Sequence, residues 1–559
     1  MEIGPNMALK PQQRSTIPVT LGSPINGMNT RDPPGQMDIS YASTMINCIG
    51  SPAGVQLRTG WSNWVTGTFA PITSFIPYNG QGGAASKLFA VAGGNFYDVT
   101  SSGTLGAAVR SGLSTTAVYW QSSSMTYGTG HTNYTIAVNG INPPQMFDGT
   151  NWTACSQSDT PDAPGKFTTN DNNSLPYNIN NFVDVITHQE RLWFVYANST
   201  LAYYTPIATA GSTAAEPTAF FDFGPLFARG STLQKLATWT SDSGGSSGIN
   251  PMLVAFSNKG DVVVFQGNNP DVAATWTYQA TYNLGSPIGR RCTQQLGGDL
   301  LYLSMDGLFP LSKYIQSGRV DTTSEVTYKI GPTISQIVSE YALTPGFEMV
   351  VYPAGNIMLL NIPLSPSLGG NFQFCFHLVQ GSWSQWQGIN AQCFCLFNDK
   401  VYFGGTNYVG VLSTAYADNT DSSGNGGTNI SAVIQQAYTF FNEQQGLGIG
   451  ILKHVKMVRP FISTGSNDPN IFVGISTDFN LTPISGTSTL SQGPVASWDS
   501  SLWGSPTALW AGGLEVNTEW ITCPSYPGDA IAVNLAFSAQ TQTIWYATSF
   551  IVEPGGQIG

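Results

Sequence analysis

One pattern recurs along this chain and restricts its fold more than any other feature. A run of four to six apolar or alternating residues enters a tight turn holding Gly, Asn or Asp, and a second short run leaves it. The pattern reads "KLFAVAGGNFYDVT" at 87–100, "YTIAVNGINPPQMFDGTNWT" at 134–153, "RLWFVYANSTLAYYTP" at 191–206 and "MLVAFSNKGDVVVFQG" at 252–267. It returns as "LLYLSMDGLFPLSK" at 300–313 and "KVYFGGTNYVGVLST" at 400–414. A seventh copy runs from "NIMLLNIP" (356–363) to "FQFCFHLVQGSWSQW" (372–386). Each copy has the form of a β-hairpin, since Asn-Gly and Asp-Gly supply the positive φ that short hairpin turns need. The copies start roughly 50 residues apart, with longer gaps holding insertions. Radial repetition at that spacing predicts a β-propeller of about six to eight blades. Unrelated hairpins in stacked sandwiches are the competing arrangement.

Composition agrees with an all-β fold. Charged residues make up only 9% of the 559 positions, against roughly 25% in an ordinary soluble protein. Hydrophobic residues reach 41%, which allows a sizeable core and excludes a disordered chain. The 62 Gly and 34 Pro favour turns over long helices, and 12% aromatics suit pleated, half-buried surfaces. Net charge is −12, with 20 basic residues spread thinly, so tight phosphate binding is not expected. Seven cysteines (Cys48, Cys155, Cys292, Cys375, Cys393, Cys395 and Cys523) are too sparse and too odd in number for a disulfide framework. They are expected to be free thiols, in a product folded in a reducing cytoplasm. The first residues lack an apolar signal core, and no run approaches the ~18 apolar residues of a membrane span.

The hairpin rhythm sets the division of the chain. Residues 1–60 lack the unit and are expected to form an extended N-terminal arm. Residues 61–430 hold the propeller with its inserted loops, at 155–182, 241–250 and 417–429. Residues 431–559 read as longer alternating strands, such as "NIFVGISTDF" (470–479), and predict a C-terminal β-sandwich-like part.

Motifs that carry chemistry are few. The four histidines are His131, His188, His377 and His454, and His188 at a strand entry reads as structural. "GQGGAASK" (80–87) ends in Lys87 but lacks the Gly before Lys that a phosphate loop requires. Cys375, His377, Cys393 and Cys395 lie close in sequence. Residues two apart on a strand share a face, yet no Cys-x(2–4)-Cys knuckle is present for structural zinc. "DNTDSSGNGG" misses the order of a calcium loop. The tryptophans of "GSWSQWQG" read as core, with a sugar-stacking platform as the alternative. No catalytic residue, cofactor site or metal ligand is assigned.

Several long segments together resemble the tail nozzle, or second tubular tail protein, family of short-tailed, podovirus-type bacteriophages. "NTRDPPGQMDISYASTMINCIGSPAGVQLRTGW" (29–61) looks like that family's opening, with Asn29 to Pro33, Asn47, Gly54, Val55, Arg58 and Gly60 at its marked positions. "AVNGINPPQMFDGTNW" (137–152) is similar to its Asn-Gly … Asp-Gly-x-x-Trp hairpin. Residues 253–313 are the nearest stretch. They place Gly260, Gly267, Pro270, Trp276, Gly285, Pro287, Gly289, Arg290, Gly298, Asp299, Asp306 and Gly307 as in the family's paired blade. "GSWSQWQG" and "KVYFGGTNYVGV" fit the following blade. The likeness spans most of residues 29–463. It departs before the 253–265 strand, where the family tends to be acidic and this chain has "SGGSSGIN".

The resemblance implies a structural virion protein and no enzyme. Copies would form a ring, a homohexamer, at the distal end of a short tail, assembled in the host bacterial cytoplasm. That ring would adjoin the tail adaptor proteins, seat tail fibres or spikes, and continue and gate the DNA ejection channel for host entry. A sixfold repeat of the −12 charge gives an acidic lumen in which genomic DNA slides without tight binding. No direct membrane span is implied. The reading from another class is a carbohydrate-binding or glycan-degrading β-propeller acting on cell-surface polysaccharide. It requires a Trp- or Tyr-lined pocket with two convergent carboxylates. A host-encoded propeller scaffold is the third.

Overall fold

The computed structural model describes residues 16–557 apart from 81–84, 117–118, 128–131, 159–164, 207–217, 242–249, 273, 314–324, 365–369, 442–446, 466–469, 481–487, 490–514, 517–519 and 523–524. The chain divides into two units. One comprises Thr59–Val379 and Gln385–Thr428, the other Met1–Arg58, Gln380–Ser384 and Asn429–Gly559.

The first unit is a β-propeller with seven blade sheets among the described residues, besides the two-stranded ribbon of Ser156–Gln157 and Lys166–Phe167. Strands Ile72–Tyr78, Lys87–Ala92, Asn95–Asp98 and Ala108–Arg110 make the first, and Gln121–Tyr127, Thr132–Val138, Gln145–Phe147 and Trp152–Ala154 the second. The third runs Phe182–His188, Arg191–Tyr196, Leu201–Tyr204 and Ala219–Asp222. The fourth runs Leu233–Ser241, Asn250–Ser257, Asp261–Gly267 and Trp276–Asn283. Thr293–Leu296, Asp299–Ser304 and Gly307–Pro310 form the fifth, and Glu348–Tyr352, Ile357–Ile362 and Phe372–His377 contribute the sixth. The seventh joins Cys393–Phe397, Lys400–Gly404 and Tyr408–Leu412 to Trp61–Thr66, which comes from the other end of the unit. First strands of successive sheets touch around a ring that closes from the seventh back to the first; between the fourth and fifth the contact passes through Asp299–Ser304. The recurring hairpin of the sequence is therefore the second and third strand of each blade.

Alternation within a strand explains why the blades read as unbroken apolar runs. In Lys87–Ala92, Leu88, Ala90 and Ala92 pack into a cluster shared with Cys393, Tyr402 and Val411 of the seventh sheet. Phe89 and Val91 face the other way, into a cluster with Ala137, Phe147 and Trp152 of the second. Leu192 and Phe194 likewise look toward Ile136 and Met146, and Trp193 and Val195 toward Leu253 and Val263. Each sheet is thus buried on both faces, where every Leu, Val or Phe contributes about 1.5–3 kcal/mol. Ring closure has its own anchor, since Trp61 stacks on Tyr408 with centroids 5.2 Å apart and meets the edge of Phe403.

The fifth sheet lacks a fourth strand of its own among the described residues. Val326 N–H donates to Leu308 O at its edge, and the helix Gly331–Tyr341 follows, with Pro332 in its first turn and Ile334 and Val338 buried. Spacing of four puts those two side chains on one helical face. The sequence reading named no helix here.

The second unit revises the expected arm. Ile17–Gly22 pairs with Thr543–Gln557, and the hairpin Cys48–Ser51/Gly54–Leu57 pairs with the same strand. Ala42–Ile46 pairs with Thr428–Gln436. The four strands within residues 17–58 therefore belong to the C-terminal β-rich part, and the boundaries 1–60, 61–430 and 431–559 give way to a two-unit division. The physical reason is edge satisfaction. Long strands such as Thr543–Gln557 need partners for their backbone N–H and C=O groups, and the N-terminal segment supplies them. Ile451–Thr464 pairs with the opposite edge of Thr543–Gln557. A second antiparallel set runs Ala42–Ile46, Thr428–Gln436, Ile531–Ala539 and Asn470–Thr477.

Candidate functional site

The segment "GSPIGRRCTQQL" (285–296) enters the fifth blade. Pro287 bridges to Ser304 and Ile288 N–H donates to Leu303 O, which fixes the turn before the strand. Arg290 and Arg291 follow, and their guanidinium groups take different partners.

Arg291 joins the sheets around the axis. Its Nη1 donates to Glu348 Oε2 of the sixth blade at 3.3 Å, and its Nη2 reaches Thr73 O (3.1 Å) and Ser74 Oγ (2.7 Å) of the first and Trp120 O (3.4 Å) ahead of the second. Glu348 Oε2 also accepts the Phe394 N–H of the seventh at 2.8 Å. Burial lifts the Glu348 carboxyl above its usual range, against the pull of Arg291 and Phe394. Burial works most strongly against the Arg291 charge, but Glu348, Cys393 and Tyr119 together outweigh it and hold the guanidinium above its ordinary value. A buried pair so fully hydrogen-bonded costs about 3–5 kcal/mol when one partner is removed. Its chemistry is that of a clasp.

A second pair lies nearby. Lys235 Nζ meets Asp184 Oδ1 at 3.1 Å, linking the fourth and third blades, while Asp184 Oδ2 is buried with no hydrogen-bond partner among the described residues.

Arg290 turns into a cavity of about 380 Å³ where the first strands begin. Its Nη1 donates to Gln234 O at 2.6 Å, and no other protein hydrogen bond to its guanidinium is made among the described residues. Burial lowers its pKa, with Asp184 opposing. Tyr119, Gln121, Gln234, Leu343 and Phe347 share the lining, which holds two arginines and no carboxylate among the described residues.

The sequence candidates fall elsewhere. His188 is buried, with Nδ1 3.1 Å from Thr238 Oγ1, and burial pulls its pKa down to about 4. It is a neutral packing residue. Lys87 pairs with Asp98 at 3.0 Å across neighbouring strands. Cys375 belongs to the sixth sheet, whereas Cys393 and Cys395 share a face of the seventh and enter one cluster. Burial pushes the Cys395 thiol up to about 12, so it is no nucleophile at neutral pH. No cluster of three or more metal-ligating side chains occurs among the described residues. His377 ends its strand with its pKa lowered by burial, and His454 lies on Ile451–Thr464. His131 and Cys523 lie outside the described residues.

Trp383 and Trp386 are 2% and 1% exposed, so they are core and offer no sugar platform. In the loop after Ala417, Asp421 Oδ1 accepts the N–H groups of Asn425 (2.8 Å) and Ser423 (2.9 Å), which closes the turn internally. Those hydrogen bonds, Asn425 foremost, hold its carboxyl below the usual range. Sequence reasoning used Arg290 only as a position of resemblance and missed the cavity. The available signal was a paired Arg-Arg before a strand in a chain of only 20 basic residues.

No family model matches the sequence, and no curated protein matches it significantly. Among solved structures, the chain is similar in fold to the β-propeller domain of Myceliophteria thermophila Cps50 (Swd1), at 9% identity over 62% of this chain and 99% of that one, TM-score 0.34. It is also similar to BBS1N in complex with ARL6DN (10%, 64% and 98%, TM-score 0.37). Saccharomyces cerevisiae Sqt1 is a third (9%, 63% and 98%, TM-score 0.35). At such scores the likeness carries no argument about function.

Proposed function

We propose that the chain is a structural virion protein: one copy of a homohexameric tail nozzle that continues and gates the DNA ejection channel of a short-tailed bacteriophage. The observation that carries this reading is where the resemblance falls. Asn29 is buried and its Oδ1 accepts the N–H groups of Arg31 (3.0 Å) and Asp32 (3.1 Å). Asn47 Oδ1 accepts Arg58 Nε–H at 2.9 Å inside the protein, and Asn47 Nδ2 donates to Ser431 O at 2.8 Å. A Cβ at Gly60 would lie 1.8 Å from Ala417 O, and one at Gly260 2.2 Å from Leu284 O. These four shared letters are thus ones that local packing restricts, which supports a common framework over chance similarity in a low-complexity surface.

Two features agree with a wall element. The two most buried ion pairs among the described residues of the propeller, Arg291–Glu348 and Lys235–Asp184, tie blades together. Net charge of −12 suits a surface past which DNA must slide. The glycan-degrading reading draws no support from the cavity, whose lining lacks the two carboxylates that chemistry needs. Adaptor proteins and fibres or spikes remain the partners this role requires. Native mass measurement and electron imaging of the purified chain test it. A sixfold ring with a central hole is expected, and a chain that stays monomeric at virion-like local concentration overturns it.

A further inference from the structure

The cavity beside Arg290 has the features of a binding site that the wall role does not use. Of its lining residues only Arg290 and Arg291 are charged, and Asp184 lies within electrostatic reach of Arg290. Arg291 is paired with Glu348 and Lys235 with Asp184, so those four cancel. Arg290 leaves this group of five with a net charge of one positive, in a chain whose net charge is −12. Its guanidinium carries five donors in a planar fork and spends one on Gln234 O. The side chains of Gln121 and Gln234 and the Tyr119 hydroxyl add donors with no hydrogen-bond partner among the described residues. Ile288, Phe347 and Leu343, the last 99% exposed at the rim, give the wall an apolar part beside the polar Thr116, Asn139 and Thr344.

We propose that this cavity binds an organic monocarboxylate, its carboxylate held by Arg290 and its apolar body resting on Ile288, Leu343 and Phe347. A single free guanidinium matches one negative charge, and its fork fits the two oxygens of a carboxylate. A volume of about 380 Å³ falls in the range of small-molecule pockets. The site lies wholly within the propeller and stands independently of the virion role.

The test is calorimetric titration of the full chain with benzoate, with its neutral counterpart benzamide, and with inorganic phosphate. Benzoate is expected to bind at least tenfold more tightly than either. Arg290→Gln should weaken benzoate at least tenfold, and Arg290→Lys should fall between. Gln121→Glu keeps Arg290 and adds a carboxylate to the lining, and should weaken benzoate as well, which covers the case where Arg290→Gln fails to fold. Benzamide or phosphate binding as well as benzoate, or benzoate binding unchanged in Arg290→Gln or Gln121→Glu, or no benzoate binding by the folded wild-type chain, overturns the assignment. Native mass with and without benzoate separates two sources of the carboxylate. An unchanged oligomer assigns a free acid, and dissociation assigns an acidic side chain of a second copy.

Discussion

The propeller and the two-sheet unit are built from similar residues by opposite means. In the propeller, each blade pairs strands that are neighbours in sequence, and only Trp61–Thr66 crosses the unit to close the ring. In the two-sheet unit almost every pairing is distant. Thr20 Oγ1 and Ser549 Oγ share a hydrogen bond at 2.8 Å across 529 positions. Blades bury both faces of each sheet, so their strands read as continuous apolar runs. Ile451–Thr464 instead alternates buried with half-buried positions along much of its length. Local pairing advertises itself in a sequence, and distant pairing does not.

If the two units differ in this way, denaturant should resolve two transitions, and substitutions should move one at a time. The largest effect is expected from Arg291→Ala, which strands Glu348 among the blades and should cost the propeller about 3–5 kcal/mol while leaving the other transition in place. Trp61→Ala removes the stacked anchor of ring closure and should cost a similar or slightly smaller amount, about 3–5 kcal/mol. Trp545→Ala, in the two-sheet unit, should act on the other transition alone. Guanidinium melts followed by circular dichroism decide both points, and equal movement of the two transitions would show that the comparison is wrong.

Acid gives the next largest effect. His188 is neutral in the fold, with its pKa lowered to about 4, whereas in the unfolded chain it titrates near 6.5. Between those values the unfolded state binds the extra proton, so stability falls as pH drops from about 6.5 to 4. The full loss is about 3 kcal/mol. His188→Gln should flatten this part of the propeller's stability–pH curve; an unaltered slope would remove His188 from the account.

The smallest expected effect concerns a turn. Gln189 and Glu190 both take left-handed backbone, with φ of 49° and 61°, between the first two strands of the third blade. Replacing them with Asn-Gly should stabilise the propeller by about 0.5–1 kcal/mol, seen as a small shift in the same melts.

That turn also shows where sequence reading stopped. The hairpins of strands two and three were legible because their turns carry Gly, Asn or Asp and their strands are apolar. "HQER" carries no such signal; tertiary contacts hold its strands in register and impose the turn. The N-terminal strands were missed for a related reason. Ile17–Gly22 is short, and its partner lies at the far end of the chain, so periodicity marks it as extended without saying what it pairs with. At the axis, Arg290 and Arg291 were legible as letters only. What separates them is geometry: one reaches the backbone and side chains of three other blades, and the other gives a single hydrogen bond beside the cavity that both line. Cys393 and Cys395 did share a face as strand periodicity requires, yet the face is a hydrophobic core.

The meeting of Trp61–Thr66 with Tyr408–Leu412 carries a topological corollary. Because the wheel begins and finishes within one blade, with Gly60 N–H bonded to Ala415 O, its two ends leave side by side. A closed ring whose ends are adjacent can be opened at another point without stretching it. Evolution or an engineer could therefore relocate the seam of ring closure from this blade to another.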